Sequence, residues 1–85
     1  MVYRVATTKS FDKDLSKLPS NWQRRIVAKV NAVAQDPYAR NPNVTSLQGR
    51  DAYRLRVGDW RIIYELQDEL AVMLVLEAGT RGGID

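Results

Sequence analysis

Arg54, Arg56, Arg61 and Arg81 are the residues of this 85-residue chain whose type and spacing point most directly to chemistry. Arg54 and Arg56 alternate with Tyr53, Leu55 and Val57, so an extended strand carries both guanidiniums on one face, roughly 7 Å apart. Gly58-Asp59 follows as a two-residue hairpin signal and brings Arg61 back alongside them. Counted from a strict Gly58-Asp59 loop, Arg56 and Arg61 are expected one step out of direct register, as diagonal neighbours still within reach of each other. Arg81 leaves the last apolar strand and reaches the same face if that strand is central. Arginine holds phosphate through planar, paired donors and stays protonated. Four guanidiniums on one concave sheet surface therefore suit a phosphodiester and the negative charge it develops during reaction. Arg50, just ahead of the hairpin, is a further candidate for phosphate contact.

The same arginines also suit a solvated strand face. Exposed strands carry them for solubility and to block edge-to-edge association, and Asp51, Asp59, Glu65 and Glu77 are available to neutralise them as surface ion pairs. A net charge of +3 does not decide between these readings. The segregation of the basic residues is more informative: all four lysines lie between Lys9 and Lys29, whereas the second half carries arginine alone. Trp60 and Tyr64 invite a base-stacking role, but alternation with Arg61 puts them on the opposite face, where core packing is expected. Tyr38, in a polar loop, is placed to meet a partner.

What the sequence lacks narrows the chemistry further. There is no cysteine and no histidine, which removes disulfides, thiolate metal sites, the commonest zinc ligand and the commonest neutral-pH acid/base group. No metal and no cofactor is expected. No signal peptide is apparent in the first residues, and no apolar run approaches the roughly 20 residues that span a bilayer. The cysteine-free composition fits a reducing cytoplasm.

These side chains have to be positioned by one small domain, since 85 residues support a single modest core. Val2 to Ala6 read as a strand. Thr7, Thr8 and Ser10 are candidate caps for a first helix, on which Phe11, Leu15 and Leu18 form an apolar stripe until Pro19 stops it. Ser20 and Gln23 have capping-box spacing for a second helix, with Trp22, Ile26, Val30 and Val33 on its inner face. Asp36-Pro37 ends that helix. Pro37 to Thr45 is expected to be a polar loop, followed by strands at 53–57, 60–66 and 70–77. Val72 to Leu76 are apolar at every position, which predicts a central strand covered on both faces. The order β-α-α-β-β-β implies an α+β fold: an N-terminal strand, a helical hairpin and a three-stranded antiparallel meander, joined in one twisted, mostly antiparallel sheet. The pairing partner of the first strand does not follow from periodicity.

The stretch LQGRDAYRLRVGDWRIIYELQDE, from Leu47 to Glu69, closely resembles the signature of RelE/ParE toxins. In that signature a leucine and a glycine precede a tyrosine-basic-x-basic strand, a Gly-Asp turn, an aromatic-arginine pair and a hydrophobic-tyrosine ending. MLVLEAGTRG resembles the family's last strand and its glycine-x-arginine exit, and the likeness extends over nearly the whole chain. It implies a single toxin domain of a bacterial type II toxin–antitoxin pair, with a cognate antitoxin as partner. RelE-type members cut mRNA in the ribosomal A site by attack of a ribose 2′-hydroxyl on the adjacent phosphate. ParE-type members poison DNA gyrase and generally lack the basic set. Retention of Arg54, Arg56, Arg61 and Arg81 favours the RNase branch, with ribosome and mRNA as further partners. Arg61 and Arg81 would then be catalytic, while Arg50, Arg54 and Arg56 hold RNA phosphate. RelE-type enzymes commonly carry a tyrosine, and some relatives a histidine, near the C-terminus; here Asp85 stands there, a weak base at an ordinary carboxylate pKa of about 3.9. That departure leaves open a non-catalytic gyrase inhibitor, or a weakened homologue that mainly binds its antitoxin.

Overall fold

The computed structural model describes residues 2–80. Strand β1 (Arg4–Thr7) leads into helices α1 (Lys9–Ser16) and α2 (Ser20–Gln35), followed by β2 (Val44–Ser46), β3 (Tyr53–Val57), β4 (Trp60–Gln67), a short 3-10 turn (Asp68–Leu70) and β5 (Val72–Thr80). The five strands form one sheet in the order β1-β5-β4-β3-β2. β1 runs parallel to β5, and all other neighbours are antiparallel. The expected α+β architecture is thus present, with one strand more than the sequence pattern implies. No helix among the described residues is long and apolar enough to cross a membrane.

Both helices pack on one face of the sheet. Phe11 of α1 and Ile26, Val30, Val33 and Ala34 of α2 meet Leu55, Val57, Ile62, Tyr64, Met73 and Val75 in the core. Ile26, Leu55, Ile62, Met73 and Val75 are all but sealed from solvent, and each such burial contributes about 1.5–3 kcal/mol relative to exposure. The arginine hairpin is fixed to this core by its own inward positions.

Local differences from the sequence expectations have identifiable causes. The Tyr3 N–H donates to the Ala34 carbonyl at the end of α2 (2.7 Å), so the β1 ladder begins only at Arg4, whose N–H reaches Ala71 (2.8 Å). Thr8 caps α1, accepting from the Phe11 N–H. The Ser20–Gln23 capping box does not form: Pro19 occupies the cap position, Ser20 is the first helical residue, and Gln23 reaches back to the Leu18 carbonyl. β5 is flanked by strands on both sides but is not covered on both faces, because the helices lie on one side only and Leu74 and Leu76 remain half-buried. It also extends through Gly79 to Thr80, beyond the expected end, since the β4 ladder continues from Ile63↔Glu77 to Trp60↔Thr80.

A bulge interrupts that ladder. Tyr64 pairs with Val75 and Ile63 with Glu77, leaving Leu76 as the extra residue. Helix α1 takes up the backbone groups nearby: the Thr8 hydroxyl donates to the Leu76 carbonyl, and the Asp14 carboxylate accepts from the Ala78 N–H (3.2 Å). α1 therefore anchors the end of β5, the segment that leads towards Arg81.

Candidate phosphate-binding face

The face of the sheet turned away from the helices carries the arginines, and strand register arranges them in two rows. Thr45, Arg54, Ile63 and Glu77 are successive partners across β2, β3, β4 and β5. In the next row towards the hairpin turn, Arg56 pairs with Arg61 and Arg61 with Gly79. The expectation that Arg56 and Arg61 sit one step out of register is therefore wrong. With Gly58 and Asp59 as the two loop residues, Val57 faces Trp60, and Arg56 and Arg61 are equidistant from the turn and directly opposed. Facing like charges disfavour each other, and an anion lying between them relieves that repulsion.

The turn that sets this register has a specific support. Gly58 has φ +60°, a conformation glycine adopts without cost, and Asp59 is not in the left-handed region, which is the pattern of a II′ turn. Trp22 of α2 lies directly over Gly58; a Cβ there would stand 2.6 Å from Trp22 Cη2. Trp22 also meets Trp60 edge-on at 6.5 Å, and the Arg25 guanidinium covers its ring at 4.4 Å. Trp60 and Tyr64 pack on the helix side as expected from alternation.

Arg54, Arg56 and Arg61 line a single recess of about 200 Å³, together with Pro42, Asn43 and Thr45. Among the described residues its lining holds three guanidiniums and no carboxylate, a concentration of positive charge suited to an anion. Arg56 is exposed, whereas Arg54 and Arg61 are half-buried. Ile63 belongs to this face yet is only 1% exposed. It is flanked by Arg54 and Glu77 across the ladder and by Arg61 and Glu65 along its strand, all half-buried. Long side chains laid over an apolar floor give such a position shelter while their charged ends stay in water.

Arg50 is not part of this recess. It is exposed and lines a separate concavity of about 510 Å³ with Tyr38, Ser46, Tyr53, Leu66 and Asp68. There the Tyr38 hydroxyl donates to Asp68 at 2.6 and 2.7 Å, and the Tyr3 hydroxyl at 2.7 Å. These bonds, from Tyr38 first and Tyr3 second, hold the Asp68 carboxyl below its usual range and push both phenols up. Tyr38 is thereby engaged within the chain, although it stays 59% exposed. Arg81 and Asp85 lie outside the described residues.

Tyr64 belongs to the interior. It is fully buried, stacks on Tyr53 at 5.4 Å, and its hydroxyl has no hydrogen-bond partner among the described residues. Desolvation pushes its pKa up to about 12, so it offers no proton acceptor to the arginine face. Asn43 and Thr45 were not singled out from sequence. They lie in a polar stretch that reads as loop, and a strand as short as Val44–Ser46 leaves no period to find them by.

The sequence from residue 5 to 82 matches the family model described as the ParE toxin of the type II toxin–antitoxin system, parDE. The chain belongs to the RelE/ParE toxin superfamily. Among solved structures, this toxin is similar to RelE in the archaeal RelE–RelB complex from Pyrococcus horikoshii, at 33% identity over 98% of this chain and 99% of that one, with a TM-score of 0.83. It shares its fold with the RelBE2 toxin–antitoxin complex of Mycobacterium tuberculosis (23% identity, 95% and 100% covered, TM-score 0.81). The same holds for the intact RelBE complex of E. coli (24% identity, 93% and 96% covered, TM-score 0.80). No curated protein matches the toxin significantly.

Proposed function

We propose that this toxin is a ribosome-dependent endoribonuclease that cuts mRNA in the A site. The observation that carries the proposal is the convergence of Arg54, Arg56 and Arg61 on one recess of the sheet face. The ribose 2′-oxygen attacks the adjacent phosphorus, the bond from phosphorus to the 5′-oxygen breaks, and the products are a 2′,3′-cyclic phosphate and a 5′-hydroxyl. Arg54 and Arg56 hold the phosphate. Arg61, opposed to Arg56, neutralises the charge that builds on the phosphorane, and Arg81 acts on the same charge or on the leaving oxygen. Arginine cannot accept the 2′-hydroxyl proton. Asp85 is the group this chain offers for that transfer, and in-line orientation of the 2′-hydroxyl by the ribosome supplies much of the rate. Arg50, in its separate concavity, holds RNA phosphate away from the cut.

The partner in the cell is a cognate antitoxin, in keeping with the RelE–RelB pairing of the archaeal relative. A second reading, inhibition of DNA gyrase without nucleic-acid cleavage, draws support from the match to the ParE family model. Purified toxin incubated with programmed ribosomes, with naked mRNA and with gyrase separates the two. Cleavage on the ribosome alone, falling roughly 100-fold or more in Arg61→Ala, supports the nuclease. Intact mRNA with blocked supercoiling supports the inhibitor.

A further inference from the structure

Beside its arginines the recess is lined by two neutral polar side chains, Asn43 and Thr45, and the phosphate chemistry does not explain the carboxamide of Asn43. Asn43 is half-buried in the recess wall beside Arg54, Arg56 and Arg61. Its backbone is secured from two directions: its N–H donates to Asn41 Oδ1 at 2.9 Å, and its carbonyl accepts from the Arg56 N–H at 2.8 Å. The turn is closed by the Val44 N–H on the Asn41 carbonyl. Asn43 therefore extends the row Arg56–Arg61–Gly79, and alternation with Thr45, the partner of Arg54, gives it the same face. None of these bonds uses the Asn43 carboxamide.

Building on the nuclease reading, we propose that Asn43 is a specificity-determining residue: its carboxamide reads the edge of the base next to the phosphate held by the three arginines. An unpaired RNA base presents adjacent donors and acceptors, and a carboxamide, with one acceptor oxygen and two donor hydrogens, matches them two at a time. Single-stranded RNA is read in this way, on edges made available by unstacking. The guanidiniums bind every phosphate alike, so they supply affinity without choice. Asn43 supplies the choice. The two bonds to its backbone fix the point from which the carboxamide reaches the base.

Two measurements test it. In the first, wild-type toxin and Asn43→Ala cut a library of mRNAs on programmed ribosomes, and the bases around each cut are compared. In the second, both proteins bind four short RNA oligonucleotides that differ in one base and carry a 2′-O-methyl group that blocks cleavage. The expected result is about tenfold or greater discrimination by the wild type, flattened to about twofold in Asn43→Ala, with Thr45→Ala keeping the original order. Asn43→Ala should fold normally, because Asn43 enters the bonds that hold the turn through its backbone atoms alone. Should it not fold, the isosteric Asn43→Asp takes its place and must change the base order, since it offers acceptors only. An absence of base preference in the wild type, or an unchanged preference in the Asn43 variants, overturns the proposal. Failure to cleave with base-selective binding intact would overturn the nuclease reading while leaving Asn43 as a base reader.

Discussion

Gly58→Ala probes the joint between the helical layer and the arginine hairpin. Two costs can be worked out from the geometry. An alanine held at φ +60° loses roughly 1–2 kcal/mol in the left-handed region. Its Cβ would also stand 2.6 Å from Trp22 Cη2 and 3.0 Å from Trp22 Cζ3, against the roughly 3.5–4.0 Å of a normal carbon–carbon contact. Trp22 must then move by about 1 Å, against its edge contact with Trp60 and its cover by Arg25. Forced repacking of this kind costs about 1–3 kcal/mol, for a total of about 2–5 kcal/mol. In a domain of this size that lowers Tm by roughly 10–30 °C, followed by circular dichroism. Repeating the substitution in a Trp22→Leu background isolates the clash: the penalty should shrink by about 1–3 kcal/mol, leaving the backbone part. A loss below about 1 kcal/mol, or an equal loss in both backgrounds, would refute the claim that Trp22 seats the turn.

Other consequences are more local. Tyr64→Phe removes a buried hydroxyl that has no partner among the described residues, so urea unfolding should show stability unchanged or raised by about 1 kcal/mol; a loss above that amount would mean the hydroxyl is bonded. The Asp68 carboxyl is depressed by its two phenol donors, so its contribution to stability is present above the ordinary carboxylate pKa of about 3.9 and is lost as pH falls through the lower folded value. Wild type should therefore melt above Asp68→Asn from pH 5 to 9, because both phenols are held protonated past their usual range, and the two curves should converge in acid. A gap that persists at the lowest pH would assign the difference to something other than this carboxylate. Arg56→Ala should reduce the slope of log affinity against log salt on single-stranded RNA by about 0.7; an unchanged slope would remove Arg56 from phosphate contact.

Much of this design is legible in the residues, and the exceptions share a physical origin. Alternation along Tyr53–Val57 and Trp60–Leu66 separates the arginine face from the core face because a period of two is a local property of the backbone. The direct opposition of Arg56 and Arg61 is a local property too, since each stands two residues from the nearer residue of the Gly58-Asp59 loop. β2 was hidden because three residues, Val44–Ser46, are too few to show a period, and edge pairing with β3 decides their conformation. The parallel pairing of β1 with β5 joins residues almost seventy positions apart, which no window along the chain registers. Ile63 shows the limit from the other side: an apolar residue in an apolar run reads as interior, yet it belongs to the arginine face. Asn43 is set beside the arginines by a bond between distant residues, the Arg56 N–H on its carbonyl, which no local pattern encodes. Arg50 lines a different concavity because it lies in the segment between β2 and β3, whose path no local period fixes.

The central claim is that the opposed arginines of the hairpin act on an RNA phosphodiester. Its most direct test is to map mRNA 5′ ends in cells after brief induction of wild-type toxin and of Arg61→Ala at matched, folded protein levels. The account predicts new 5′-hydroxyl ends within translated codons for the wild type, reduced roughly 100-fold or more by the substitution. Equal numbers of such ends from both proteins, or growth arrest by the wild type with mRNA intact, would contradict it.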